Sequence, residues 1–356
     1  MRLELWGKLC AENRPCTVTG GTDCRNRSFV GGFCILRGSV GDVAEEKPFH
    51  SFDELVALLE SRGVIVDADT RIILQRESYY AVVNGYKDPF IDRWATGNSH
   101  DDRYKADTGF DEIYRLHKLD RALRAAFLPC LLVAETTLKT LIVHVFCEHY
   151  PHRDSYLQAS SYDPNPPQAH AEKMIETLQK ALLVKKGRHP KDFIEHYLSK
   201  YEYVPLWVLA NFLTFGTVSQ FYASLSAKTR AAICKEFSFY SKEVHGAAAQ
   251  RIEPYRMAQL LRRLGDFRNI CAHEERFYCA RVGKARDVPV EKMLSDLGVV
   301  IPPSDFQNLI TAVVNLLKHE GQAFRTISVD TVLLAMGFTP TDEVYGLVVD
   351  PGALSE

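Results

Sequence analysis

Arg268, Asn269 and His273 lie within six residues of one another in the stretch "FRNICAHEERFY", which runs from Phe267 to Tyr278. A histidine that titrates near neutrality can take and give protons. An arginine can neutralise a phosphate, and the charge developing on it, through paired hydrogen bonds. An asparagine amide can orient the ring or hold a phosphate oxygen. Together the three suit cleavage of a phosphodiester that carries its own nucleophile, which in RNA is the 2′-OH. That chemistry calls for no cofactor. The sequence offers no pair of carboxylates spaced for a divalent ion and no HExxH. Cys271, His273 and Cys279 lack a fourth zinc ligand.

The bland alternative is a helix that ends in polar residues, since a histidine near a helix C-terminus is favoured by the helix dipole without any catalysis. Of the twelve histidines, only His273 has an arginine five positions upstream. On a helix, Asn269 and His273 share a face, whereas Arg268 is rotated from His273 by about 140°. Convergence then requires the helix to loosen near Cys271, or a second copy to pack across a symmetric interface.

The elements that must position these residues read as helices throughout. "SFDELVALLESRG" carries a capping box at Ser51 and Glu54 and a terminating Gly63. A short helix follows, running into an aromatic turn around Tyr79, Tyr80 and Gly85, where the tyrosines are expected to pack. The polar stretch "RWATGNSHDDRYKAD" reads as a long, mobile loop; Arg93 and His100 fall within it. From Phe110 to about Tyr150, Leu116, Leu119, Leu123, Phe127 and Leu131 form an apolar stripe, and Pro129 is expected to kink or divide the helix. Further helices read at about 168–184, 191–200, 205–224, 226–238, 252–276 and 304–320, with a short one from Ser328 to Met336. No alternating run is bounded by hairpin turns, so the class is all-α.

Composition narrows the function classes. The chain has 356 residues, 46% of them hydrophobic and 25% charged, with a formal net charge of −2. No global basic field is present, and a nucleic-acid surface would have to be a local patch. The run "KKGRHPK" supplies Lys185, Lys186, Arg188 and Lys191, which serve as RNA contacts or as a solvated loop. Arg262 and Arg263, before the motif, are RNA-contact candidates, one of them expected to be exposed. The apolar run "AAFLPCLLVAETTLKTLIVHVF" holds Pro129, Glu135 and Lys139, so a buried core helix is expected and no membrane partner. Nine cysteines, no CxxC pair and no secretory signal point to reduced thiols and a cytoplasmic location. Cys10, Cys16, Cys24 and Cys34 match no zinc spacing. Residues 1–44 read as a disordered extension or a misassigned start, with translation beginning near Val40 or Val43.

Four ordered segments resemble one family. "LRRLGDFRNICAHEERFY" resembles the "RNxxAH" signature helix of the Abi-like abortive-infection proteins, within the HEPN superfamily. "FDELVALLESRGVIVDADTRIILQRESYYAVVNGYKDPF" is similar to the family's N-terminal segment. "IYRLHKLDRALRAAFLPCLLVAETTLKTLI" is similar to its central helix pair, and "YVPLWVLANFLTFGTVSQFYASL" to its "PiW…FGt" stretch. The similarity spans roughly residues 47–280.

The resemblance implies an HEPN-like helical bundle at 45–284, with helical N- and C-terminal extensions, the latter at 285–356. It implies a homodimer whose paired R-x4-H motifs cut RNA without metal, leaving a 2′,3′-cyclic phosphate and a 5′-OH, in defence against phage. Arg268 would neutralise phosphate, Asn269 would hold the motif geometry and His273 would be the general acid/base. Glu135 matches the family's acidic position and reads as a support, structural or catalytic, partnered by Arg268, Asn269 or Lys139; Arg276 is a second supporting candidate. Asp120 and Arg124 read as a structural i,i+4 pair. Trp207, Phe212 and Phe215 read as core. Glu274 and Glu275 depart from the family pattern and are expected to raise the pKa of His273 and repel phosphate. They lend weight to the alternative, a catalytically silent module binding RNA or protein. An antitoxin or regulatory small RNA is a further expected partner if the protein is a toxin.

Overall fold

The computed structural model describes residues 48–99, 101–165, 169–183 and 192–349, together with the backbone of a two-residue antiparallel ladder, Phe29–Val30 with Phe33–Cys34. Cys10, Cys16, Cys24 and His100, and the basic residues Lys185, Lys186, Arg188 and Lys191, lie outside the described residues. Residues Ser51–Glu356 form one compact unit. That unit is all-α, as the sequence pattern implies.

Helix α1 (Phe52–Ser61) begins at the expected capping box: Ser51 Oγ accepts from the Glu54 N–H, and the Glu54 carboxylate accepts from the Ser51 N–H. Gly63, at φ +92°, turns the chain out of the helix in the left-handed region that glycine tolerates. Helix α2 (Thr70–Glu77) leads into a single π turn at Tyr80–Asn84. Val82, Val83 and Tyr86 are buried there, whereas Tyr80 is 63% exposed and so does not pack as expected.

The polar stretch after Phe90 is not a free loop. It forms the short helix α3 (Arg93–Gly97) and then pairs back through an Ile91–Tyr104 bridge, with Asp92 N–H donating to Arg103 O and Lys105 N–H to Phe90 O. Ion pairs Arg62–Asp101 and Lys87–Asp102 fix its outer edge. Charged side chains that read as solvated in sequence are here tied to α1 and the aromatic turn.

Helix α4 (Phe110–His149) is the spine. Leu116, Leu119, Leu123, Phe127 and Leu131 are all buried. Pro129 does not divide the helix. It sits on the exposed face, where its ring meets solvent and the carbonyl one turn earlier can tilt toward water. By length and composition α4 could cross a membrane, but its buried face is the core on which the other long helices pack.

After α5 (Ala169–Leu182) and α6 (Asp192–Tyr201), the helix expected at 205–224 is broken in two. Helix α7 (Leu206–Leu209) and a 3-10 turn at Ala210–Phe212 end at extended Leu213, and Thr214 caps α8 (Phe215–Ser224) by accepting from the Thr217 N–H. Phe215 is core, Phe212 is half-buried, and Trp207, expected in the core, is 56% exposed. Helix α9 (Ala227–His245) and the motif helix α10 (Pro254–Ala272) pack on α4.

The C-terminal segment belongs to the same compact unit. Helix α11 (Val290–Val300), not anticipated from sequence, packs on α10 and α4; α12 (Pro303–Gly321) lies along α4; α13 (Val329–Met336) and α14 (Glu343–Val349) lie against α12. Cys130, Cys147, Cys234, Cys271 and Cys279 are free thiols.

A proline inside a helix forfeits one backbone hydrogen bond. Pro129→Ala should therefore stabilise the protein by about 1–2 kcal/mol, allowing for the greater freedom of the unfolded chain. A thermal melt checks this; an unchanged or lower midpoint would mean that Pro129 is held by packing on its exposed face.

Candidate active site

Helix α10 begins at Pro254, whose missing N–H costs nothing at a first turn. It presents Leu260, Leu261, Leu264 and Phe267 to the core. The next residue, Arg268, is half-buried and turns toward α4, where its Nε donates to Glu135 Oε2 at 2.9 Å. Its Nη1 reaches Asn269 Oδ1 at 3.3 Å. Glu135 is buried and accepts a second cation, Lys139, at 3.3 Å; the Lys139 ammonium also donates to Leu213 O at 2.9 Å. The break between α7 and α8 exposes that carbonyl, so a chain of contacts runs from Leu213 through Lys139, Glu135 and Arg268 to Asn269.

The helix ends one residue before the motif does. His273 is the C-cap, its N–H still donating to Asn269 O at 2.9 Å, and its side chain is exposed, as is that of Asn269. Glu274 then takes a left-handed conformation at φ +58° and reverses the chain. The helix does not loosen near Cys271. That thiol is buried, and burial pushes its pKa up to about 12.

A buried carboxylate holds the chain after the turn. Asp120 accepts from the Phe277 N–H at 3.1 Å, the Tyr278 N–H at 2.6 Å and the Tyr86 hydroxyl at 2.7 Å. Arg124, 3.8 Å from Asp120, donates to Glu275 O at 2.6 Å. Burial pushes the Asp120 carboxyl up, against the pull of the hydroxyl, the two N–H groups and Arg124 toward the anion. The pair is structural, as expected, but its main partners lie far along the chain. Phe277 fills the space between Phe127 and Phe267.

Beside this anchor, His117 lies edge-on to Tyr86 and stacked on Tyr114. Burial first, and then the Arg121 charge, lower its pKa to about 4. The Glu274 charge bears on both His117 and Arg121, and Arg121 pairs with Glu77 at 2.6 Å. Arg121 holds the Glu77 carboxyl down at about 2.

The remaining candidates separate. Arg262 is exposed, with Asp266 one turn along. Arg263 is buried and ion-paired to Asp296 at 2.8 Å, an anion it shares with Arg256. It therefore cannot reach RNA: α11, absent from the sequence reading, covers it. Arg276 is exposed, donates to Gly85 O at 3.1 Å and lies 3.7 Å from Asp88. Among the described residues no group of three or more His, Cys, Asp or Glu is placed to hold a metal ion.

Residues 72–279, more than half of the chain, match the Abi-like protein family. The chain belongs to that family. Membership implies a role in abortive infection, the bacterial defence against phage. The matched span begins at α2 and ends just past the motif, so α1 and the helices from α11 onward lie outside it. Searches among curated proteins and among solved structures each gave no match. In this Abi-like chain Arg268, Asn269 and Glu135 are brought together, whereas Lys139, Asp120 and Arg124 support the motif from α4.

Two stability experiments follow from this geometry. Asp120→Asn leaves Arg124 without its anion and puts an amide NH2 where an oxygen accepted from the Tyr86 hydroxyl; a loss of about 3 kcal/mol is expected in urea unfolding, and a loss below about 1 kcal/mol would show that the segment holds without the charge. For His117 the folded pKa, about 4, lies below the ordinary 6.5. The unfolded chain therefore takes up the proton first, and stability present above pH 6.5 is lost as pH falls toward 4, by at most about 3 kcal/mol. The melting temperature of the wild type should fall more steeply across that window than that of His117→Phe, and parallel curves would dismiss His117 as the source.

Proposed function

We propose that this Abi-like protein is a metal-independent endoribonuclease of HEPN type, with a composite site formed by Arg268, Asn269 and His273 from each chain of a homodimer. The observation that carries this reading is the exposure of His273 and Asn269 at the end of α10, beside an arginine already oriented by Glu135. Two of the Arg268 nitrogens are engaged within the chain, and among the described residues the third, Nη2, has no hydrogen-bond partner. It is available to a phosphate oxygen.

In the reaction, His273 of one protomer removes the 2′-OH proton, and the resulting alkoxide attacks the adjacent phosphorus. The bond to the 5′-oxygen breaks, and His273 of the second protomer donates the proton that oxygen needs. The products are a 2′,3′-cyclic phosphate and a 5′-OH. Arg268 neutralises the charge that gathers on the phosphoryl oxygens. Asn269, accepting from Arg268 and placed one turn before His273, keeps the two in register.

The alternative draws on Glu274 and Glu275. Both are exposed at the mouth of the site and would oppose phosphate, as expected of a silent module that binds RNA or protein.

Labelled single-stranded RNA incubated with the protein in EDTA decides between them. Cutting should proceed without metal, require the 2′-OH, and fall by about 10²- to 10⁴-fold in His273→Ala and comparably in Arg268→Ala. Cutting of an all-2′-deoxy strand, or undiminished cutting by His273→Ala, overturns the mechanism. RNA bound by a folded dimer and left intact favours the silent module.

A further inference from the structure

Beyond the motif, the structure holds an open hollow of about 500 Å³ lined by Asp88, Pro89, Ile91, Asp92, Arg93 and Lys105. That volume is in the range that accepts a small ligand, about 300–1,000 Å³. We infer that this hollow is a nucleotide subsite for single-stranded RNA, with Arg93 and Lys105 contacting phosphates and Trp94 stacking a base. The inference extends the ribonuclease reading and rests on it for the identity of the strand.

The first argument is charge. Both carboxylates of the hollow are engaged within the chain. Asp92 caps α3 by accepting from the Trp94 and Ala95 N–H groups, and Asp88 faces Arg276 at 3.7 Å. The two cations are not: Arg93 and Lys105 are exposed, and among the described residues neither side chain makes a hydrogen bond or an ion pair. Arg93 and Lys105 therefore stand without an ion pair beside Pro89 and Ile91, while the Asp92 carboxylate is held on the first N–H groups of α3.

The second argument is an aromatic platform. Trp94, adjacent to Arg93 on α3, is 81% exposed. A bare indole beside free cations is the pairing that single-strand binding uses, stacking for the base and charge for the backbone.

The third argument is continuity. Arg276 lies three residues after His273, donates to Gly85 O and faces Asp88, so the chain leaving the motif abuts the rim of the hollow. A strand whose scissile phosphate sits at His273 passes Arg276 before reaching Arg93 and Lys105. The hollow is also built to stay in shape: the Ile91–Tyr104 bridge and the ion pairs Lys87–Asp102 and Arg62–Asp101 hold its far wall.

The test uses the full-length wild-type protein and a fluorescent 2′-O-methyl RNA dodecamer, which cannot be cut because its 2′-oxygens are blocked. Anisotropy titrations are run over a salt series. Arg93→Ala/Lys105→Ala should weaken binding about tenfold at low salt and reduce the log–log salt slope by about 1.4, the value for two phosphate contacts on a single strand. Trp94→Ala should weaken binding about tenfold with the slope unchanged. Lys228→Ala/Lys235→Ala on α9, which removes the same charge elsewhere, should change neither. Equal effects from the α9 pair, or a wild-type slope and affinity in Arg93→Ala/Lys105→Ala, overturn the subsite. Binding that depends on Arg93 and Lys105 in a protein that cuts no RNA retains the subsite and removes the ribonuclease reading.

Discussion

A single buried carboxylate sets the position of the motif. Asp120 lies in the first third of α4, removed from water, where an isolated charge would cost several kcal/mol. Its oxygens take hydrogen bonds from Tyr86, Phe277 and Tyr278, and Arg124 stands beside it. These donors come from three separate parts of the chain: the aromatic turn before α3, the segment after α10, and α4 itself. A residue satisfied only when all three meet makes the arrangement close to all-or-none, because a missing donor leaves a buried lone pair unpaired. The C-terminus of α10 is thereby fixed from the far side of the reversal at Glu274, and His273 becomes a rigid cap.

From the other side, Arg268 is fixed through Glu135. Here a local defect has a use: the interruption at Leu213 and Thr214 costs α7 and α8 their continuity but leaves a carbonyl for Lys139. With that ammonium held, Glu135 keeps one oxygen on Lys139 and the other on Arg268. The guanidinium is thus oriented in advance, so the proposed contact with a phosphate would cost it little rotamer freedom. Arg276 ties the departing chain to Gly85, so the motif is braced at its arginine, at its cap and at its exit.

Much of the fold was legible because its signals are local. The capping box at Ser51 and Glu54, the stripe from Leu116 to Leu131 and the helix carrying Arg268 to Ala272 all rest on spacings of three or four residues. The i,i+4 relations of Asp120 with Arg124 and of Glu135 with Lys139 were legible for the same reason. What escaped depends on partners far along the chain. Asp120 meets Phe277 across 157 positions and Arg263 meets Asp296 across 33, and no periodicity announces either. Arg263 read as one of two candidate surface cations because the anion it takes, Asp296, lies on α11, which was missed with it. The stretch from Arg93 to Lys105 read as a loop because its order comes from ion pairs to α1 and to Lys87. Trp207 read as core because size and hydrophobicity do not reveal which side of a four-residue helix faces out.

These misreadings bear on where a ligand can bind. Candidate RNA contacts chosen by charge alone include Arg263, which the fold buries, and overlook Arg93 and Lys105, which it leaves bare. A cation becomes available to a phosphate when the fold gives it no anion of its own. By that rule Asp296 removes Arg263 and Glu135 takes only part of Arg268. Asp88 and Asp92, engaged elsewhere, leave Arg93 and Lys105 free beside the exposed indole of Trp94. The acidic side chains of this protein thus decide, by the partners they take, which of its basic side chains are left without an ion pair.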